Sequence, residues 1–220
     1  MQKPLVIAYH LIWTAYGTWL PNDPRGSGSS AVACDILKDL GDLHYGRKTV
    51  QPPGDEIHKF YVLAHERLKF RILQFDHEDQ VMIASAIGSV VEENRYTCYA
   101  CVVMPDHVHI LMRKHRDSCE RMVEELQAAT RTALLSRKRL GDHPVWTGGL
   151  GWRVFIDHPD TVRRTVQYIA DNPVKIGRPL QKWSFVTTYD GWPLHAGHSP
   201  QSPYAQRLKA AGRYPRDWKC

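Results

Sequence analysis

The sequence predicts an α+β sandwich, a central antiparallel sheet with helices packed on one side of it. Three observations carry that expectation. Strand-like and helix-like patterns follow one another in the order strand, helix, strand, strand, helix, strand, helix. The middle two strands flank a tight turn, which makes them an antiparallel hairpin. Finally, 220 residues with 43% hydrophobic and 24% charged side chains describe a globular chain. A chain of that length buries a sizeable core without disulfides or structural zinc.

The elements follow in order. Leu5 to Tyr16, rich in aliphatic and aromatic residues, reads as the first strand. Leu20-Pro-Asn-Asp-Pro-Arg-Gly-Ser-Gly-Ser-Ser30 is a loop by its turn formers, and the pattern stays weak to Gly54 apart from a short helix near Asp35–Leu40. Phe60 to Phe75 is apolar, with a period that does not separate helix from strand. Asp76, with Asp79 three residues on, opens a helix to about Arg95, its apolar stripe being Ile83, Ile87, Val90 and Val91. Tyr96–Met104 and His107–Met112 are the hairpin strands around Pro105-Asp106. Asp117 or Ser118 starts a second long helix to about Lys138, with Met122, Leu126, Ala129 and Ala133 toward the core. A Gly-Gly-Leu-Gly stretch precedes the strand Trp152–Ile156. Asp157-His-Pro-Asp160 then begins a third helix, which Pro173 is expected to stop near Asn172. Residues 1–194 form a single domain with a loop insertion at about 20–55, and 195–220 form a basic tail.

The distribution of charge narrows the class of partner. The chain has 29 basic and 23 acidic residues, a net +6. Residues 1–100 hold 10 basic and 12 acidic side chains, whereas 101–220 hold 19 and 11, so the whole positive excess lies in the second half. That asymmetry points to a surface for a polyanion. The longest apolar runs, such as Cys98 to Met104, are too short to cross a bilayer. The N-terminus runs into a strand rather than a signal peptide, which leads us to expect a soluble, cytoplasmic protein without a membrane partner. Five scattered cysteines argue against a disulfide framework. Cys98 and Cys101 have zinc-knuckle spacing, but on a strand residues three apart face opposite ways, so both read as packing residues.

Two constellations carry chemistry. In Met104-Pro-Asp-His-Val-His-Ile-Leu111, a strand projects His107 and His109 from one face, where two imidazoles can share a metal; the bland alternative is a solvated strand face. In Tyr168-Ile-Ala-Asp-Asn-Pro173, Tyr168 and Asn172 stack on one helix flank with Arg164 a turn earlier, beside the stripe Val162, Val166 and Ile169. A phenol, an amide and a guanidinium in one row suit a phosphate; the alternative is a boundary aromatic and a helix cap.

Taken together, the two motifs resemble the HUH single-tyrosine nucleases. His107-Val-His109, with Val-Met-Pro-Asp before it and Ile-Leu after it, is similar to the His-hydrophobic-His motif of their transposase branch. Tyr168-x-x-x-Asn172-Pro173 is similar to that branch's nucleophile helix, particularly in the REP-associated tyrosine transposases. The resemblance spans about residues 60–190 and leaves the loop at 20–55 and the tail after 195 unexplained.

The resemblance implies a ferredoxin-like or RRM-like sandwich, in agreement with the order of elements. It implies an enzyme that cuts and rejoins single-stranded DNA beside a small hairpin, and hence an association with the nucleoid. Tyr168 would be the nucleophile, forming a 5′-phosphotyrosine, and His107, His109 and Asn172 would hold Mg²⁺ or Mn²⁺. Imidazoles favour manganese over magnesium in affinity, so higher occupancy by Mn²⁺ is expected. Insertion-sequence members are homodimers that can exchange the tyrosine helix, whereas REP-associated members can act as monomers. Arg113, Lys114, Arg116, Arg164, Lys175 and Arg178, with Lys182 and Arg137-Lys-Arg139, are the expected DNA contacts. Trp13, Trp19, Trp146 and Trp152 are candidates for stacking on unpaired bases, and the loop Asn22–Gly26 for reading a hairpin. Two other readings compete. One is a non-catalytic single-strand binder descended from such an enzyme; the other is a metal hydrolase with water as nucleophile, which needs a third strong ligand, the nearest candidate being Asp106, expected to point off the opposite face if the strand extends that far.

Overall fold

A computed structural model describes residues 6–28, 35–138, 140–192 and 203–212. The strands are β1 (Ala8–Thr14), β2 (Cys98–Val103), β3 (His107–Arg113) and β4 (Trp152–Ile156). They form one antiparallel sheet in the order β2-β3-β1-β4. The helices are α1 (Gly54–Arg67), α2 (His77–Glu93), α3 (Cys119–Lys138), α4 (Pro159–Lys175) and α5 (Pro203–Ala210), and a 3-10 turn occupies Asp35–Leu40. With α2 between β1 and β2 and α3 between β3 and β4, the core is the βαββαβ unit of ferredoxin-like sandwiches, to which α4 is added.

Local signals start α2 and α4. The Asp76 carboxylate accepts the Asp79 N–H at 2.8 Å while Asp79 accepts the Asp76 N–H at 3.0 Å, a reciprocal cap that starts α2. Arg137 and Lys138, at the carbonyl end of α3, reach the same acids: Arg137 bonds Glu78 at 2.6 Å and Asp79 at 3.0 Å, and Lys138 bonds Asp79 at 2.7 Å. These two cations join α3 to α2. Arg139 lies outside the described residues. In α4, His158 Nδ1 accepts the Asp160 N–H and Pro159 takes the first turn. The helix runs past the expected stop, through Pro173 to Lys175. A proline so near the C-terminus removes one backbone bond, and the buried Pro173 ring packs under the last turn.

Helices cover both faces of the sheet, not one. Tyr9, Leu11, Trp13, Val108, Ile110 and Met112 pack against α2 and α3. Ala8, Ala100, Val102, Leu111 and Ile156 pack against Val162 and Ile169 of α4. The second face of the sheet thus carries its own apolar patch, and α4 is the element that removes that patch from water.

Cys98 and Cys101 share the α2/α3 face, contrary to simple alternation, because a bulge between Cys98 and Ala100 inserts one residue and flips the parity. Both are buried free thiols, and burial pushes their pKa values up, so they act as packing groups all the same. Cys34 and Cys220 lie outside the described residues.

Leu20 and Leu37, from the stretch before α1, pack against Phe60 and Ala64 of α1 in a satellite core. At the opposite side of the sheet, Gln181 donates to and accepts from Val103 at 2.8 Å each way, and the Thr187 N–H donates to Cys98, closing the free edge of β2. The tail contains α5, which sequence patterning did not anticipate; residues 195–202 and 213–220 lie outside the described residues. No helix among the described residues is long and apolar enough to cross a membrane.

Candidate active site

The hairpin turn Pro105-Asp106 ends where β3 begins, so His107 and His109 leave β3 on the α4 face, their rings 4.8 Å apart at 81°. Each ring is held by its Nδ1. His107 Nδ1 lies 2.6 Å from an Asp106 carboxylate oxygen, and a carboxylate can only accept, so the imidazole carries its proton there. His109 Nδ1 lies 2.9 Å from Nε2 of His10 on β1, in a hydrogen bond between two buried rings. In both histidines the Nε2 is the nitrogen left for a ligand. This is the arrangement in which an outer partner fixes the orientation of a metal-binding imidazole.

The strand does not extend as far as Asp106. That residue precedes the strand, lies in the turn, and its carboxylate comes round to His107 instead of pointing off the opposite face. Burial raises its pKa, but the hydrogen bond and charge of His107, with Arg25 nearby, outweigh that and hold it below the usual carboxylate range.

His10 is the residue that sequence reasoning missed. It is a lone histidine in an apolar strand, and only the register brings it to the site: β1 pairs with β3 so that Ile12 lies opposite His109 and His10 sits on the diagonal. The His10 and His109 rings stack 5.1 Å apart. Burial pushes the His10 pKa down to about 4. His109 is driven well below the usual imidazole value, by burial first and then by His107, His10 and Lys175. Both rings are therefore neutral near pH 7, the state in which imidazole binds a cation.

α4 carries Tyr168 over this face in the same chain. The apolar stripe Val162 and Ile169 fixes the rotation of the helix, and Tyr168, next to Ile169, emerges at the edge of the packed region. Its ring centroid is 5.7 Å from that of His109 and 6.1 Å from that of His10, yet 43% of the residue is exposed. Its hydroxyl has no hydrogen bond among the described residues. Lys175 Nζ stands 4.5 Å over the ring. Asn172 donates from Nδ2 to the Tyr168 carbonyl at 2.8 Å, which leaves its Oδ1 for another partner. The competing tyrosines are committed elsewhere: Tyr96 donates to Asp117 at 2.9 Å, Tyr189 donates to the Trp192 carbonyl at 2.6 Å, and Tyr99 is buried. Among the described residues no group of three or more His, Cys, Asp and Glu is arranged to hold a metal, and His10 Nε2 lies against His109 Nδ1.

The predicted cations divide into two groups. Lys175 is at the tyrosine, Arg178 follows the same helix, and Arg164, exposed one turn before Tyr168, donates to Thr161 at 3.1 Å. Arg113, Lys114 and Arg116 lie at the other end of β3, roughly 20 Å from His107 at the rise of an extended strand. Arg113 stacks on Trp192 there, at 4.2 Å. The loop Asn22–Gly26 turns its polar groups inward: Asn22 donates to the Leu37 carbonyl, and buried Asp23 binds both Arg25, at 2.7 Å, and the Tyr61 hydroxyl.

No family model matches the chain, and no curated protein matches it. Among solved structures it is similar to a REP-associated tyrosine transposase bound to a REP hairpin, at 16% identity and a TM-score of 0.43, over 100% of this chain and 90% of that one. It is also similar to a protein solved as a "putative transposase" from Deinococcus radiodurans, at 14% identity and a TM-score of 0.37, over 81% of this chain and 99% of that one.

Proposed function

We propose that this protein is a single-stranded DNA endonuclease and strand transferase of the tyrosine-transposase type, with Tyr168 as nucleophile. The observation that carries this reading is the exposed Tyr168 beside two imidazoles whose Nε2 atoms are both left for a ligand. All of these groups come from one chain, which supports a site complete in a monomer.

The Tyr168 oxygen attacks the scissile phosphorus, forming the tyrosyl ester as the bond to the 3′ oxygen breaks. The phenol proton passes to solvent, and the leaving oxygen takes up a proton to become a 3′-hydroxyl. Rejoining reverses these steps with a 3′-hydroxyl as nucleophile, and it needs no nucleotide because the ester conserves the energy of the broken bond. A phenol is a weak nucleophile at neutral pH, its ordinary pKa being about 10. Lys175 holds its ammonium over the ring, 4.5 Å from the centroid, where it is placed to meet an incoming phosphate. On this reading His107 and His109, with Asn172 Oδ1, would hold Mg²⁺ or Mn²⁺. Such a cation would polarise the phosphate and stabilise the leaving oxygen. Arg164, Lys175 and Arg178 supply phosphate contacts along α4. Arg113, Lys114 and Arg116 serve a more distant part of the strand. The substrate feature expected beside the cut, from the motif resemblance, is a small hairpin.

The test is incubation with end-labelled, hairpin-bearing single-stranded DNA and Mn²⁺, read on a denaturing gel. A covalent adduct that disappears in Tyr168→Phe is the expected result. Cleavage that survives Tyr168→Phe points to water as nucleophile, and binding without any adduct points to a non-catalytic binder.

A further inference from the structure

On the open half of the site's sheet face, beside the part covered by α4, the structure presents two exposed aromatic rings that the chemistry above does not use. One row of side chains crosses the sheet through Val102, His109, Ile12 and Trp152. Trp152 therefore lies on the same face as the histidines, two strands away from His109, at roughly 10 Å. The helix does not extend that far: α4 packs on β2 and β3, and Trp152 is 40% exposed. Tyr45, 66% exposed, comes from the region before α1 and stands with its ring 6.2 Å from that of Trp152, inclined at 37°.

We infer that Tyr45 and Trp152 form a stacking platform for an unpaired base of the DNA strand bound at Tyr168. This rests on the proposed strand-transferase reading for the identity of the strand, and it assigns a subsite where that strand continues past the cut.

Four features favour this over an accidental pair of surface aromatics. First, the rings are mounted rigidly. Residues 44–48 are tied to 25–27 by backbone bonds, from Ser27 N–H to His44, from Gly46 N–H to Ser27 and from Lys48 N–H to Arg25, at 2.7–3.0 Å. Second, the two segments approach so closely that only glycine fits at one crossing. Gly26 has φ +87°, and a Cβ there would lie 2.0 Å from the Gly46 carbonyl oxygen. Gly28 likewise lies against the six-membered ring of Trp152, where a Cβ would come within 2.6 Å, so the backbone supports the indole from the side. Third, the charge is complementary to a phosphate backbone. Arg47 and Lys48 follow Tyr45 after Gly46, and neither forms an ion pair among the described residues. Fourth, the other tryptophans considered for stacking are occupied. Trp13 and Trp146 are buried, and the Trp19 ring is covered by the Arg25 guanidinium at 3.7 Å.

Every base has a π-face, so such a platform discriminates single strands from duplexes without reading sequence. The experiment is fluorescence anisotropy without divalent cation, in a Tyr168→Phe background, so that neither metal binding nor cleavage enters the signal. The probes are labelled oligo(dT) of about 16 nucleotides, an abasic strand of the same length, and a duplex. Tyr45→Ala and Trp152→Ala are each expected to weaken oligo(dT) binding about tenfold, with less than about twofold change on the abasic strand and the duplex. Trp152→Phe should recover most of the loss. Tyr45 is mostly solvent-exposed, so its removal leaves the fold intact even if a Trp152 variant proves unstable. The platform is refuted if both alanine variants bind oligo(dT) as the parent does, if the abasic strand loses as much, or if the parent does not bind oligo(dT). Stacking without adduct formation by the wild-type protein would leave the platform standing and refute the proposed catalysis alone.

Discussion

Removing the His10 imidazole should weaken cation binding at a site that His10 does not itself ligate. His109 can bind a cation through Nε2 only if its proton sits on Nδ1, and the acceptor for that proton is His10 Nε2, 2.9 Å away. Both rings are buried, so His10→Ala leaves the Nδ1–H without a protein partner in a place that water reaches poorly. An unsatisfied buried donor costs about 1–3 kcal/mol. The ring can avoid that cost by rotating or by changing tautomer, and either response turns the ligating lone pair away from the site. Loss of an outer partner of a metal-binding histidine typically weakens affinity about 10- to 100-fold, or roughly 1.4 to 2.7 kcal/mol, which agrees with that range. The assay is titration with Mn²⁺, following the free-ion signal by electron paramagnetic resonance, at a temperature where circular dichroism shows both proteins folded. His10→Gln, which restores an acceptor oxygen, should recover part of the loss. A folded His10→Ala protein that binds Mn²⁺ as tightly as wild type would refute the reasoning, because it would mean that the His109 orientation is held by something else.

Asp106→Ala should act on His107 in the same way, reducing Mn²⁺ affinity by about tenfold, whereas Asp106→Asn, whose amide oxygen can still accept from Nδ1, should lose less; the same titration decides. Stability should fall with acid through Asp76, whose pKa is lowered by the Asp79 N–H first, with Lys138 and Arg137 assisting against a small desolvation cost. A carboxylate with a depressed folded pKa stabilises above its unfolded pKa and loses that contribution as the pH falls through the folded value. Asp76→Ala should therefore cost about 1 kcal/mol in urea unfolding at pH 7 and progressively less below the ordinary carboxylate range.

Elements with a strong local code were legible from residues alone. The capping pair Asp76 and Asp79, the Pro105-Asp106 turn and the apolar stripe of α2 each act within a few residues, and each formed where patterning put it. Phe60–Phe75 is ambiguous in sequence because α1 ends at Arg67 and an irregular segment follows, two states in one apolar window. Pro173 was misjudged as a stop, since a local steric rule gives way when the proline falls in a last turn that is packed against the fold. The cysteine parity failed for a similar reason: alternation is local, but the bulge at Cys98 and Ala100 is a property of the pairing with β3.

The sequence by itself determined the type of the four strands and of α2, α3 and α4, the shared strand face of His107 and His109, and the row of Arg164, Tyr168 and Asn172 on one helix flank, because periods of two and 3.6 are properties of the backbone. Tertiary structure alone decided that α4 takes the face opposite α2 and α3, which brings Tyr168 to the histidines within one chain. It also decided that His10 supports His109, that Arg137 and Lys138 are bound to α2, and that Trp152 is the tryptophan left open beside the site. Each of these depends on strand register and on which face a helix covers. Both are settled by burying apolar area between segments roughly a hundred residues apart, which no local pattern encodes.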